Sequence, residues 1–136
     1  MARVDEANII SWARRLERSG VHVVFGFMDL KTHCKLALVV RQEGDAVRRY
    51  AHLGTGNYNP STARLYTDLG LFTADPVMTE EVANLFNFLT GYSQNHDWRK
   101  LVVAPQDLRE RTIEFINEQA ERARKGKQAR VFAKLN

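Results

Sequence analysis

Residues 34–40, Cys-Lys-Leu-Ala-Leu-Val-Val, form a nearly continuous apolar run of strand length. A run of this kind predicts a β-strand covered on both faces, since a strand with one wet face alternates polar and apolar positions. Gly44-Asp45 then turns the chain, and a further strand follows at about residues 47–53. The centre of the chain is therefore a hairpin, and the rest must pack around it.

Upstream, Ile9, Ile10, Ala13 and Leu16 recur at helical spacing, with Asp5 placed to cap the start and Gly20 to stop the end. The spacing predicts a helix over about residues 5–19, followed by a β-rich stretch at 21–27. Downstream, a fourth extended piece falls at 69–73. Thr79 stands as an N-cap ahead of the stripe Val82, Leu85, Phe86 and Leu89, so a helix is expected up to about residue 89. Residues 101–104 read as a short strand ended by Pro105. Residues 106–125 read as a long charged helix with Leu108, Thr112, Phe115, Ile116 and Ala120 inward. The sum is an α/β fold, helices flanking a mixed sheet.

With 136 residues, 44% hydrophobic and 26% charged, the chain suits one globular domain, short for an enzyme enclosing two phosphate-bearing substrates. No stretch approaches the ~20 apolar residues of a membrane span, and no signal-peptide pattern opens the chain, so a cytoplasmic location is expected. The single cysteine, Cys34, leaves no intrachain disulfide and no thiolate cluster for zinc. The net charge of +4 is modest. Its placement matters more: Lys31, Lys35, Arg41, Arg48, Arg49 and Arg64 all flank His33 in sequence, which predicts a local field that favours a polyanion. The basic tract at 122–130 reads as a helix C-terminus running into a solvated linker. Because the chain opens almost inside a helix and closes on a strand-like run at 131–135, it is expected to be part of a longer polypeptide.

Two clusters carry chemistry. On an extended segment His33 and Lys35 point the same way while Cys34 faces the other side. A neutral imidazole is a competent nucleophile at phosphorus, and an adjacent ammonium offsets charge on the phosphate oxygens. Some twenty residues on, Gly54-Thr55-Gly56-Asn57 lets backbone N–H groups approach an anion while Thr55 and Asn57 add side-chain donors. His52 leads into this turn, where it orients a phosphate or supports the structure. His22 and His96 read as ordinary, and Asp68 as an orienting group for a basic neighbour.

An HxK element followed by a Gly-Ser/Thr-x-Asn turn resembles the phospholipase D superfamily, with one departure: the acid usual five residues after the lysine falls at Val40. The blocks Arg3-Val-Asp-Glu-Ala-Asn8, Gly20-Val-His-Val-Val24, Leu30-Lys-Thr-His-Cys-Lys35, Arg49-Tyr-Ala-His-Leu-Gly-Thr-Gly-Asn-Tyr58 and Thr62-Ala-Arg-Leu-Tyr-Thr-Asp68 resemble, in order and spacing, the third domain of bacterial polyphosphate kinases. The resemblance runs over essentially the whole chain. It implies a phospholipase D-like catalytic half-domain over residues 1–126, with 127–136 opening the next domain. It also implies reversible transfer of the ATP γ-phosphate to polyphosphate through a phosphohistidine at His33.

By the same resemblance Tyr66 contacts ATP; as donors suited to charge on the transferring oxygens, Lys35 and Asn57 are expected at the catalytic centre, and Arg64, Gly54, Thr55, Gly56 and His52 at the ATP or phosphate. Arg3 matches an arginine of the Mg²⁺ and phosphate site. A guanidinium has no acceptor, so Arg3 reads as a phosphate-side clamp and not as an inner-sphere ligand. Mg²⁺ is expected to travel with ATP. The implied partners are ATP or ADP, polyphosphate and the remaining domains of the same enzyme. A homo-oligomer is expected at full length, with no nucleic acid and with peripheral attachment to the inner membrane left open. The rival readings are a phospholipase D-like phosphodiesterase and a non-catalytic polyanion-binding module.

Overall fold

The structure is a computed structural model that describes residues 3–27, 30–93 and 97–134, with the side chains of residues 3–7 outside the described set. His96 and Leu135 therefore lie outside it. Three strands, β1 (Lys35–Glu43), β2 (Ala46–Gly54) and β3 (Gly70–Thr73), form one sheet in the order β1-β2-β3. All pair antiparallel, where a mixed sheet was expected within the α/β class. The helices are α1 (Arg3–Arg18), α2 (Pro76–Leu89) and α3 (Leu108–Arg124).

The hairpin forms as its sequence predicts, turning at Gly44 with φ of 60°. Its burial differs from expectation. Leu36, Leu38, Leu53 and Ala51 share the face on which α2 packs, and Ala51 is buried with Val82 and Leu85 of that helix. The other face is open: Val39 is exposed, and so is Phe72 at 83%. Even on the packed face Val40 is exposed, because α2 covers only the end of the sheet near β3. The apolar run thus marks a strand with one covered face and a second face that this chain leaves bare.

Helix α1 already runs through Asp5, so its start lies earlier than the expected cap. Its end follows the sequence: Gly20, at φ of 83°, donates its N–H to Glu17 O and Val21 donates to Leu16 O, the paired bonds of a Schellman stop. Gly91 and Gly126 close α2 and α3 with the same pair of bonds. Thr79 is not a cap. Asp75 caps α2, accepting from Met78 N at 2.8 Å ahead of Pro76 in the first turn, and Thr79 is buried inside the helix with its hydroxyl on Asp75 O.

Three expected strands do not form. Among the described residues, 21–27 have no ladder partner and turn at Gly26, and 131–134 pair with no strand. Residues 101–104 are held otherwise: the Glu81 carboxylate, 2% exposed, accepts from Arg99 N (2.7 Å), Lys100 N (3.0 Å) and Leu101 N (2.8 Å). Helix α3 buries none of its residues, so Leu108, Phe115 and Ile116 face outward. The chain exposes 11643 Å² in all, against about 7,200 Å² for a compact monomer of its mass. Exposed large apolar side chains stand on α1, α3 and the open sheet face and also on connecting segments, Leu65, Tyr92 and Phe132 among them.

Burial alone raises the pKa of Glu81, but the N–H groups of Leu101, Arg99 and Lys100 with the Arg99 guanidinium outweigh it and hold the carboxyl below its ordinary value. A depressed carboxylate stabilises the fold above its unfolded pKa, and that contribution is lost as pH falls through the folded value. Glu81→Ala, which strands three part-buried N–H groups, is expected to lower stability by about 3 kcal/mol in urea denaturation at neutral pH. Its deficit relative to the unsubstituted chain should shrink as pH drops below the usual glutamate range; a deficit independent of pH contradicts the assignment.

Candidate active site

The β1–β2 register places Lys35 opposite Gly54, so the HxK element and the Gly turn, far apart in sequence, meet at one end of the hairpin. His33 lies two residues ahead of β1 in the extended lead-in and is exposed. The Lys35 ammonium reaches back to it, with Nζ at 2.9 Å from Nδ1, 3.1 Å from Nε2 and 2.7 Å from the His33 carbonyl oxygen. Its near-equal approach to both ring nitrogens places the ammonium over the ring and not in line with either lone pair, so it sets positive charge beside the imidazole whichever nitrogen carries the proton. His33 also borders a cavity of about 480 Å³ lined by α2 residues Leu85, Phe88 and Leu89 and by residues 102–106. Cys34 borders the same cavity. Although the residue is exposed, desolvation of its thiol raises the pKa against the opposing pull of its backbone bond and Lys35, leaving imidazole the better nucleophile.

The Gly turn is closed by a clasp. Thr55 N donates to Leu69 O (3.0 Å), Leu69 N donates to Thr55 Oγ1 (3.0 Å), and that hydroxyl donates to Asp68 Oδ1 (2.9 Å). The Thr55 hydroxyl, expected as an anion donor, is thus engaged within the protein. Gly56 is required here, because a Cβ would run into the Asp68 carboxylate. Asn57 stays exposed. Asn59, which sequence reading passed over, accepts from Ser61 N (2.9 Å) and Thr62 N (3.2 Å) and starts the short 3-10 turn Thr62–Arg64. Its signal was available as an Asn-Pro-Ser-Thr sequence. Arg64 ends that turn exposed, in no ion pair among the described residues, and Tyr66 follows, also exposed.

His52 is in register with Ala37 and Phe72, and so shares the open sheet face with Lys35. Its ring lies across Gly54 and Gly70, stacks on Phe72 at 4.4 Å between centroids, and shares a 2.7 Å hydrogen bond between Nδ1 and the Tyr58 hydroxyl. Tyr58 as its partner is visible only in the fold.

The expected positive cluster is divided by the hairpin. Arg41 and Arg48 pair across the strands at the far end, roughly 20 Å along the strand from Lys35, and both approach Glu43 at 3.8 Å. Arg49 pairs with Val40 on the opposite face. Lys35 remains at the site, with Lys31 on the rim of its cavity. The side chain of Arg3 lies outside the described residues. Among the described residues no three His, Cys, Asp or Glu side chains gather as a metal site, and a lone carboxylate bonded to Thr55 is a poor hard-oxygen cage. The chain's own described donors therefore do not fit a protein-held Mg²⁺.

An HxK element facing a Gly-Thr-Gly-Asn turn on an antiparallel sheet backed by a helix is the arrangement of a phospholipase D-like α/β fold. Residues 1–95 match the family model described as polyphosphate kinase C-terminal domain 1, and the chain belongs to that family. It is similar to a polyphosphate kinase of Synechocystis, 57% identical over 99% of this chain and 18% of the relative, and to one of Streptomyces coelicolor, 54% identical over the same shares. It also matches the crystal structure of polyphosphate kinase from Porphyromonas gingivalis at 34% identity and a TM-score of 0.78, over 94% of this chain and 22% of that one. The chain thus spans about a fifth of the length of these relatives.

A Cβ at Gly70 would fall 2.8 Å from His52 Nε2. Gly70→Ala is therefore expected to displace the ring, shifting the His52 side-chain NMR signals while the β1–β2 amide signals at the hairpin turn stay in place; unmoved ring signals contradict the packing described.

Proposed function

We propose that this segment is the nucleophile-bearing half of an enzyme that transfers the γ-phosphoryl group of ATP reversibly to polyphosphate. The register that sets Lys35 against Gly54, with its ammonium on the His33 ring, is the observation that supports this reading most strongly. In the proposed cycle the lone-pair nitrogen of His33 attacks the γ-phosphorus, the bond to the bridging oxygen breaks, and ADP leaves. A terminal oxygen of polyphosphate then attacks the phosphohistidine, the P–N bond breaks, and the ring is regenerated.

The chain's own groups serve this chemistry by placement and charge. Lys35 stands over the His33 ring, where its ammonium bonds incoming γ-oxygens and neutralises the transferring group beside the attacking nitrogen. Asn57 and the N–H group of Gly56 face the same anion, Gly54 shapes the turn from its place in the ladder between Lys35 and Gly70, and Arg64, Tyr66 and His52 contact nucleotide or phosphate further out. Arg3 acts as a phosphate-side clamp. Mg²⁺ enters with the nucleotide, held by its phosphates.

The half-site covers residues 1–126, with 127–136 opening the next domain. The remaining domains of the same polypeptide supply the second half and cover the bare faces of α1, α3 and the sheet; the full-length protein is a homo-oligomer. No described helix is long and apolar enough to cross a membrane, which is compatible with the proposed cytoplasmic location. A hydrolase reading is less well supported, because the position where its acid would fall is Val40, an apolar residue on the sheet face opposite Lys35.

Full-length enzyme incubated with γ-labelled ATP should form an acid-labile phosphoenzyme, and His33→Ala should reduce the label to background. Undiminished label in that variant contradicts the assignment. Lys35→Ala should slow labelling by about 10²-fold or more, as expected for loss of one preorganised charge donor. The isolated chain should label little or not at all; labelling at the full-length level refutes the half-site account. Cleavage of phosphodiesters without ATP would instead favour the hydrolase, and polyphosphate binding without any labelling the non-catalytic module.

A further inference from the structure

Glu81 lies away from the HxK element in sequence and touches none of its residues, yet it anchors the wall that faces His33. Among the described residues it is the largest fully buried side chain and one of only two buried polar residues. A carboxylate is costly to bury unless every lone pair is answered. Here three successive backbone N–H groups, Arg99, Lys100 and Leu101, converge on it, with Arg99 Nε at 3.4 Å as a fourth donor. The chain leaves this nest directly into residues 102–106, which form one side of the 480 Å³ cavity beside His33.

The opposite side of that cavity is made by Leu85, Phe88 and Leu89, on the same helix as Glu81 and at spacings that place them on its face. One carboxylate therefore fixes the distance between the two walls. Two lesser bonds hold the same segment: Lys100 Nζ pairs with Asp75 Oδ1 at 2.8 Å, and Asp107 Oδ1 accepts from Val103 N at 2.7 Å. An apolar insertion at residue 81 would fill the space but leave the wall free to slide.

We propose that Glu81 is a positioning residue for phosphoryl transfer: by clamping residues 99–101 to α2 it sets the width of the cavity that His33 borders. This rests on the function proposed for His33. The geometry required for attack is strict, and a displacement of about 1 Å at a remote support can cost on the order of 10²-fold in rate.

The test is rapid-quench labelling of full-length enzyme by γ-labelled ATP, comparing the unsubstituted protein with Glu81→Gln, which keeps the length and one acceptor oxygen, and with Glu81→Asp. Burst amplitude reports the fraction of folded sites, whereas the single-turnover rate constant reports how well each ring is placed. Positioning predicts a rate constant lowered about tenfold in Glu81→Gln at nearly full amplitude, with the KM for ATP changed less than about twofold and partial recovery in Glu81→Asp. A lowered amplitude with an unchanged rate constant means that Glu81 only stabilises the fold, and overturns the proposal. Should Glu81→Gln fail to fold, Asp107→Ala loosens the same wall from its other end, and an unchanged rate constant there overturns it equally. Absence of any label on the unsubstituted enzyme overturns the His33 reading and this one with it, an outcome distinct from a labelled enzyme that ignores residue 81.

Discussion

The pairing of Lys35 with Gly54 is the constraint on which the site depends. Strand register is discrete: a slip of β1 by one residue against β2 would turn Lys35 onto the face covered by α2 and carry Leu36 and Leu38 out to solvent. The apolar residues that pack under α2 therefore also fix which end of β1 meets the Gly turn. Packing and chemistry are set by one choice of register.

Around that end, the molecule uses its polar groups mainly to hold backbone. Thr55 and Asp68 close the turn onto residue 69, Asn59 starts the following 3-10 turn, Asp75 caps α2, and Glu81 grips residues 99–101. Each replaces a backbone bond that sheet or helix would otherwise supply. His33, Asn57, Arg64 and Tyr66 are left exposed within or beside this framework, and Lys35 rests on the His33 ring. A half-site whose donors point outward is consistent with the proposal that its substrates are enclosed by other parts of a longer protein, as is the bare apolar surface on α1 and α3.

The elements with local signals were legible in sequence. The hairpin follows from Gly44-Asp45 between two apolar runs, and the helix stops follow from glycines at positive φ. The juxtaposition of HxK with the Gly turn was legible only by resemblance, since nothing local fixes a register across eighteen residues. The departures share a cause: strand-like composition does not make a strand where the described residues offer no partner strand. Residues 101–104 are as apolar as β1, but their backbone leads out of a carboxylate nest instead of joining a ladder. Thr79 was taken for a cap although Asp75-Pro76 carries the stronger signal, a capping acid ahead of a proline whose missing N–H costs nothing there. The six cations that cluster in sequence around His33 were read as one field, and the antiparallel hairpin sends Arg41 and Arg48 to its far end.

The central claim is that the ring presented beside Lys35 and the Gly turn, and not the neighbouring His52 held by Tyr58, receives the phosphoryl group. Tandem mass spectrometry at alkaline pH of full-length enzyme quenched within its first turnover locates that group directly. The account predicts the phosphoryl group on His33 with His52 unmodified. Phosphorylation of His52 with His33 unmodified would contradict it.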